Sequence, residues 1–329
     1  IKTGTPYTEV CLFVYGMYLN KITMAKILIA TEKPFAKVAV DGIKEVAETA
    51  GLEIVLLEKY TEKAQLLAAV ADVEAMIIRS DKIDNEVFDA AKNLKIVVRA
   101  GAGYDNVDLA AATAHGVVVM NTPGQNSNAV AELVFGMLVF AVRNFYNGKA
   151  GTELKGKKLG ILAYGNVGRR VAHIAKGFDM DVYAYDAYCP AAAIESDGVK
   201  AVSSQDELFE KCEVVSLHIP ATAETRQSIN YALVGKMPKG GVLVNTARKE
   251  VINEPELLKL MQERTDLKYV TDIMPEADAD FRMLEGRYFS TPKKMGAQTA
   301  EANINAGVAA AHQIAAFFKD GCTKYQVNK

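Results

Sequence analysis

The 329-residue chain has no excess of charge of either sign: 38 lysines and arginines stand against 40 aspartates and glutamates, a formal net charge of −2. That balance argues against the basic surface that nucleic-acid binding requires, so no nucleic-acid partner is expected. Cysteine is scarce. Cys11, Cys189, Cys212 and Cys322 are scattered, without the spacing of a metal site or a redox motif. This suits free thiols in a reducing, cytoplasmic compartment, and no metal is expected. Long hydrophobic runs are missing too. The apolar stretch VCLFVYGMYL at 10–19 is too short to span a bilayer, and no membrane partner is expected. It also lacks a basic flank before it and a small-residue cleavage site after it. The chain begins with Ile1, and the first strand-like segment follows Met24. Residues 1–23 are therefore read as an extension, non-native or translated from upstream, with a targeting segment as the alternative. No low-complexity tract and no fixed-period repeat is visible in the remainder.

What is present is an alternation of strand and helix patterns. Half the residues are apolar and 24% are charged, the composition of a soluble globular chain long enough for two domains. Strands are expected at 26–30, 53–57, 75–79, 95–99 and 117–120, with helices at 38–50 and 85–93 between them. The turn residues Asn121-Thr122-Pro123-Gly124 close this block, and a long apolar helix follows over roughly 127–145. A second set of strands is expected at 158–163, 181–185, 214–218, 241–245 and 268–272, and an alanine-rich helix at 300–319. Such alternation implies an α/β fold: two doubly wound parallel sheets with helices on both faces.

The most informative stretch is 158–186. An apolar strand, KLGILA, runs into Ala163-Tyr164-Gly165-Asn166-Val167-Gly168. A helix pattern follows, with Val167, Val171, Ile174 and Phe178 at helical spacing, then the strand DVYAY and Asp186. This is the layout of a dinucleotide-binding βαβ unit. Gly165 lets backbone approach a pyrophosphate, Gly168 allows the helix to pack closely on the strand, and the helix N-terminus faces the negative charge. Asp186, 18 residues past Gly168, is placed to hold the adenosine ribose hydroxyls. An acid there repels a 2′-phosphate, so NAD is expected rather than NADP. The first glycine of the usual G-x-G-x-x-G is Ala163, which fits if its φ stays negative. On the glycines alone, an ordinary tight turn remains the alternative.

In open α/β sheets, ligands sit beyond the carboxyl ends of the strands. In the second block those ends carry His218, Arg248, Asp272 and, after Ser290-Thr291-Pro292, Lys293. Three longer segments carry a resemblance: RAGAGYDNVDLAAATAHGVVVMNTPGQNSNAVAELVFGML (99–138), LHIPATAETRQSIN (217–230) and VLVNTARKEVINEPEL (242–257). With them the chain resembles the D-2-hydroxyacid dehydrogenase family over about 24–318, and within it the phosphoglycerate-oxidising branch.

The resemblance implies a flavodoxin-like substrate domain at 24–122, a Rossmann NAD domain at 123–298, and a C-terminal segment, 299–329, returning to the substrate domain. It implies a cleft that closes on substrate and a homodimer paired through the cofactor domain. In a departure from longer relatives, the sequence stops after one C-terminal helix, so no regulatory domain is expected. The implied reaction is NAD-dependent oxidation of 3-phospho-D-glycerate to 3-phosphohydroxypyruvate, in serine synthesis. Arg248 matches the catalytic arginine, whose planar guanidinium grips a carboxylate and polarises the adjacent carbonyl. Ala100, Gly101 and Gly103 match the carboxylate-binding turn, and Asn126 matches a substrate contact or else caps the next helix. Arg79, Ser80 and Arg99 are candidates for the phosphate of a phosphorylated 2-hydroxy acid, with Lys82 behind them; solvated surface charge is the alternative for each. Gly165, Asn166, Val167, Gly168, Asp186, His218, Pro220, Thr225, Ala247 and Asp272 match cofactor contacts.

The pattern breaks at the proton-transfer residue. The family uses a histidine after Thr-Pro, oriented by a glutamate. Here the sequence reads Thr291-Pro292-Lys293, and Glu276 is the nearest equivalent of the glutamate, with Asp278 behind it. Arg248 is followed by Lys249 where the family has glycine. Lys293 is expected as general acid/base, with Lys294, a water or an impaired site as alternatives. A lysine has an ordinary pKa of about 10.4, so a charged amine suits reduction and oxidation is favoured at alkaline pH. Two other functions share this scaffold: a hydroxypyruvate or glyoxylate reductase, and an NAD-sensing interaction protein.

Overall fold

A computed structural model describes residues 24–329, so the expected extension at 1–23 lies outside the described residues. The chain divides into two compact units. One comprises residues up to Asn121 together with Ala310–Lys329, and the other is Thr122–Ala309.

The first unit is built on five parallel strands: β1 (Lys26–Thr31), β2 (Glu53–Glu58), β3 (Ala75–Ile78), β4 (Ile96–Arg99) and β5 (Val118–Asn121). Their order is β2-β1-β3-β4-β5, the flavodoxin-like arrangement. The interior strands are continuous apolar runs because helices cover both faces of the sheet: every residue of Ile27–Ala30 and of Ala75–Ile78 is fully buried. The helix Lys37–Thr49 buries Ala39, Val40, Ile43 and Ala47, one stripe at helical spacing. Register sets Ala30 level with both Leu57 and Ile78. The end of β1 and the loop after β3 therefore meet where the strand order reverses, the place where such sheets bind ligands. The C-terminal segment protects the open edge of β5. Val119 N donates to Asn328 Oδ1 at 2.8 Å, and Val327 N donates to the Val119 carbonyl at 2.9 Å.

The second unit has seven parallel strands: β6 (Lys158–Leu162), β7 (Asp181–Tyr185), β8 (Lys200–Ala201), β9 (Val214–Leu217), β10 (Val242–Asn245), β11 (Lys268–Thr271) and β12 (Tyr288–Ser290). The order is β12-β11-β10-β9-β6-β7-β8. From β6 the chain steps outward to β7 and β8, then returns to start β9 on the other side. This is the Rossmann order with one added strand, and its switch point lies between β6 and β9. The helices Ser127–Val142 and Asn166–Gly177 share one core with the sheet; Leu208, Phe209, Leu257, Met261 and Phe281 belong to the other.

Both sheets are of the expected class. The sequence pattern missed β8 and β12, which span two and three residues and are too short to show a period. The long helix ends at Val142, three residues before its expected limit. Lys268 Nζ donates to the Ala141 carbonyl and to Asn144 Oδ1, each at 2.7 Å, placing a cation on the helix C-terminus. Asn144, Phe145 and Tyr146 then take φ of 51°, 54° and 56°, which cannot continue a helix.

Candidate active site

The turn after β6 opens on alanine where the usual motif has its first glycine. Ala163 has φ +77°, so the condition that alanine fits only at negative φ does not hold. The turn holds its shape, and alanine accepts the strain because the backbone is tied down on both sides. Ala163 N donates to the Tyr185 carbonyl at 2.8 Å, and Tyr164 N donates to Asp186 Oδ2 at 2.7 Å. Gly168 is obligatory: a Cβ there would lie 2.4 Å from the Ala163 carbonyl oxygen. Gly165 is different, since a Cβ would meet nothing within 4 Å. Its α-carbon faces open space at the start of the helix Asn166–Gly177, where an anion meets free N–H groups. Asn166 and Val167 open that helix, and the Asn166 side chain lies beside Gly124.

Asp186 closes the same turn. Beyond its bond to Tyr164, its Oδ1 accepts from Tyr188 N at 2.7 Å and Cys189 N at 2.9 Å. A carboxylate has about four acceptor sites, so this leaves room for a ribose hydroxyl. The turn, the free helix end and the fixed acid together fit NAD, which supplies the hydride acceptor when bound.

Across the switch point, His218 N donates to the Leu162 carbonyl at 2.9 Å, joining the ends of β9 and β6. The His218 ring, partly exposed, bonds Ser216 Oγ through Nε2 at 2.9 Å, and desolvation pushes its pKa down to about 3. The imidazole is therefore neutral at physiological pH. Pro220 and Thr225 belong to one self-knit turn, in which Thr225 Oγ1 donates to the Pro220 carbonyl.

At the end of β10, Asn245 folds back on its own loop. Its Oδ1 accepts from Ala247 N at 2.9 Å and its Nδ2 donates to the Arg248 carbonyl at 3.0 Å. This fixes the backbone that carries Arg248, whose Nη1 donates to the Ala247 carbonyl at 3.0 Å. Thr246 Oγ1, in the same loop, is buried without a hydrogen-bond partner. Buried hydroxyls rarely remain so, and a cofactor or a water at this strand end would satisfy it.

Asp272, fully buried after β11, organises the lysine loop. Its Oδ1 accepts from Thr291 Oγ1 at 3.0 Å and Met295 N at 2.7 Å; its Oδ2 accepts from Gly296 N at 2.8 Å. Lys293 and Lys294 sit inside that clamp, and Lys294 Nζ donates to the Ala247 carbonyl at 3.2 Å. Glu276 is not brought to this loop. Its exposed carboxylate pairs with Lys249 at 2.9 Å, and that ammonium holds it below the ordinary glutamate range. Asp278, the fallback, pairs with Arg282 and accepts from the Tyr288 hydroxyl. Asn126 begins the helix Ser127–Val142 with its backbone and makes no side-chain cap.

The substrate candidates of the first unit form their own cluster. Arg79 Nη1 donates to the carbonyls of Lys33 and Pro34 at 3.0 and 3.1 Å, and its guanidinium lies 5.2 Å from the centre of the Phe35 ring. Arg99 Nε donates to the Arg79 carbonyl at 3.0 Å. Burial pushes both guanidiniums below their ordinary range, and for Arg99 the neighbouring Arg79 charge adds to the effect. Arg99 lies on the carboxylate turn itself: a Cβ at Gly101, where φ is +145°, would fall 1.6 Å from Arg99 Nη1. Ala100 N is held by the Ile78 carbonyl at 2.8 Å, whereas Ser80 and Lys82 are exposed and Gly103 is half-buried.

Two supports of this cluster gave no sequence signal. Asp81, 2% exposed, accepts from the Tyr60 hydroxyl and from the backbone N–H groups of Glu32 and Arg79. Asn121 Nδ2 donates to the Ala102 carbonyl at 2.6 Å. Among the described residues, no cluster of acids, histidines or cysteines could hold a metal, and no helix is long and apolar enough to cross a membrane.

Residues 137–289 match the family described as D-isomer specific 2-hydroxyacid dehydrogenase, NAD binding domain. The chain is 34% identical over 291 residues to a D-3-phosphoglycerate dehydrogenase of Methanocaldococcus jannaschii, covering 83% of this chain and 55% of that protein. It spans about half the length of the several curated proteins of that name that it matches. A hydroxypyruvate reductase of Thermotoga maritima is 34% identical over 284 residues, 80% of this chain and 90% of that protein. Among solved structures, the NAD+-bound 3-phosphoglycerate dehydrogenase of Entamoeba histolytica aligns with a TM-score of 0.81 and 49% identity, covering 93% of this chain and 99% of that one.

Proposed function

The chain belongs to the D-2-hydroxyacid dehydrogenase family and uses NAD, and from that premise we propose that it oxidises 3-phospho-D-glycerate to 3-phosphohydroxypyruvate. One observation carries the choice of substrate. Arg79 and Arg99 are adjacent, both pushed down by burial, and Arg99 lies against the glycine turn. Two desolvated like charges repel each other, and a phosphate dianion bound between them would relieve that repulsion through charge-assisted bonds. A lactate or glyoxylate offers no such group. The names of the archaeal relative and of the Entamoeba structure point the same way.

The roles follow from the chemistry. The carboxylate falls to the turn at Gly101 and Gly103, since the Ala100 N–H is taken by the Ile78 carbonyl, and Asn126 is a further candidate contact. Arg248 grips the substrate and polarises its C2 oxygen, a task for which Asn245 has already fixed the Arg248 backbone. Asp186 and the 165–168 turn hold the adenosine and pyrophosphate of NAD, while His218, Pro220, Thr225, Ala247 and Asp272 line the rest of its course. Proton transfer falls to the loop 291–296, which carries Lys293 and Lys294. Glu276 has its charge engaged by Lys249, so the loop relies on Asp272 for its shape. Oxidation needs the amine neutral and is favoured as pH rises. We expect the protein to act as a homodimer in the cytoplasm, as the resemblance implies.

The near-complete match to a hydroxypyruvate reductase supports a second reading, reduction of an unphosphorylated keto acid. NADH oxidation with 3-phosphohydroxypyruvate, hydroxypyruvate and glyoxylate side by side separates the two. Preference for the phosphorylated acid is expected. Preference for hydroxypyruvate would replace the first reading with the second, and no turnover of any would leave an NAD-sensing role.

A further inference from the structure

Resting on the dehydrogenase reading above, we infer that Lys294, rather than Lys293, takes and returns the substrate proton. Lys294 Nζ donates to the Ala247 carbonyl at 3.2 Å, and Arg248 Nη1 donates to the same oxygen at 3.0 Å. An ammonium and the catalytic guanidinium thus converge on one acceptor at the carboxyl end of β10. A hydroxyl or keto oxygen brought to that point would meet both donors. This is the geometry that polarisation by one group and proton transfer by the other demands.

Lys293 is placed differently. Both lysine side chains are exposed, but the Lys293 ammonium has no hydrogen bond or ion pair among the described residues, and its carbonyl shares the single Thr291 hydroxyl proton with Asp272 Oδ1, at 2.8 and 3.0 Å. The backbone leaves Lys294 little freedom to exchange places with it. Asp272 grips Thr291 on one side and both Met295 N and Gly296 N on the other, so Lys294 is one residue from an anchored N–H. Gly296 makes the grip close: a Cβ there would lie 3.0 Å from Asp272 Oδ2. The Thr-Pro motif drew attention to the residue next to proline, but the clamp delivers the following one.

The step balances without a further reactant. In oxidation the C2–H bond breaks and its electron pair leaves with the hydrogen for the cofactor. The C2–O bond becomes a carbonyl, the O–H bond breaks, and that proton goes to the neutral Lys294 amine. Reduction runs the same transfers in reverse, with the proton coming from the ammonium.

Substitution of each lysine by methionine tests this. Lys294→Met is expected to lower kcat by about 10²- to 10⁴-fold, with the NADH Kd, read from nicotinamide fluorescence, held within about twofold. Lys293→Met is expected to stay within about threefold of wild type. Lys294→Ala should recover turnover when ethylamine is added, more so as pH rises and the free-amine fraction grows; a merely structural lysine gives no such rescue. Near-normal turnover by Lys294→Met in an active wild-type background would overturn the assignment alone. A wild type inactive on every 2-keto acid would instead sink the dehydrogenase reading, and this assignment with it.

Discussion

Replacing Ala163 by glycine should stabilise the cofactor unit. At φ +77° the alanine methyl group sits in a backbone region that L-residues avoid. The left-handed conformation costs a non-glycine residue about 1–2 kcal/mol. Glycine removes that cost but gives the unfolded chain more freedom, worth about 0.4–1 kcal/mol in the opposite direction. The residue is half-buried, so loss of its methyl group sacrifices little apolar contact. The bonds that shape the turn, Ala163 N to Tyr185 and Tyr164 N to Asp186, are main-chain donors and survive the change. The net expectation is a gain of about 0.5–1 kcal/mol, or roughly 1–4 °C in Tm for a unit of this size. Urea unfolding of the apo protein, followed by far-ultraviolet circular dichroism, reads this as a higher midpoint at unchanged slope. Ala163→Val, β-branched at the same φ, should move the midpoint the other way by more than the glycine gain. A glycine variant less stable than wild type by 1 kcal/mol or more would refute the argument that the turn stores strain.

Two further outcomes concern the same unit. Gly168→Ala drives a Cβ to 2.4 Å from the Ala163 carbonyl, a backbone atom that cannot step aside; a loss of about 1–3 kcal/mol of stability is expected, with NADH affinity at least about tenfold weaker by fluorescence titration, and unchanged affinity would show that helix and turn are not closely packed. His218 has its pKa pushed from 6.5 to about 3, so its neutral form is the folded one. The unfolded chain binds that proton first. The contribution is complete above pH 6.5 and drains away as pH falls toward 3. Between pH 7 and pH 5, wild type should lose about 1–2 kcal/mol more stability than His218→Gln. Parallel pH dependence in the two proteins would show that the ring is not desolvated.

The fold was legible because its signals are long. Interior strands buried on both faces appear as unbroken apolar runs, and the strand, turn, helix and acid over 158–186 constrain one another. The features without a sequence signal are short or tertiary. β8 and β12 hold too few residues for a period. The helix after Ser127 stops at Val142, where Lys268, distant in sequence, caps it. Motif reading named the strand-end residues Arg248, Asp272 and Lys293 from their positions, but not their partners. Position alone matches Glu276 to an orienting glutamate, yet Lys249, standing where the family has glycine, takes its charge. Asp81 and Asn121 support the arginine cluster by bonds to loops distant in sequence, which no local pattern announces. Asp272 was expected to face the cofactor, and nothing in its neighbours reveals that it also ties down residues 291–296.

The most direct test of phosphate recognition is the ratio of kcat/KM for 3-phosphohydroxypyruvate to that for hydroxypyruvate, measured with NADH in wild type and in Arg79→Gln and Arg99→Gln. Charge-assisted bonds to phosphate are each worth about 1.5–3 kcal/mol. Each substitution should therefore shrink a large wild-type ratio by about 10- to 100-fold, with hydroxypyruvate itself little affected. A wild-type ratio near one, or a large ratio that neither substitution moves, would contradict the assignment of these arginines to a phosphorylated substrate.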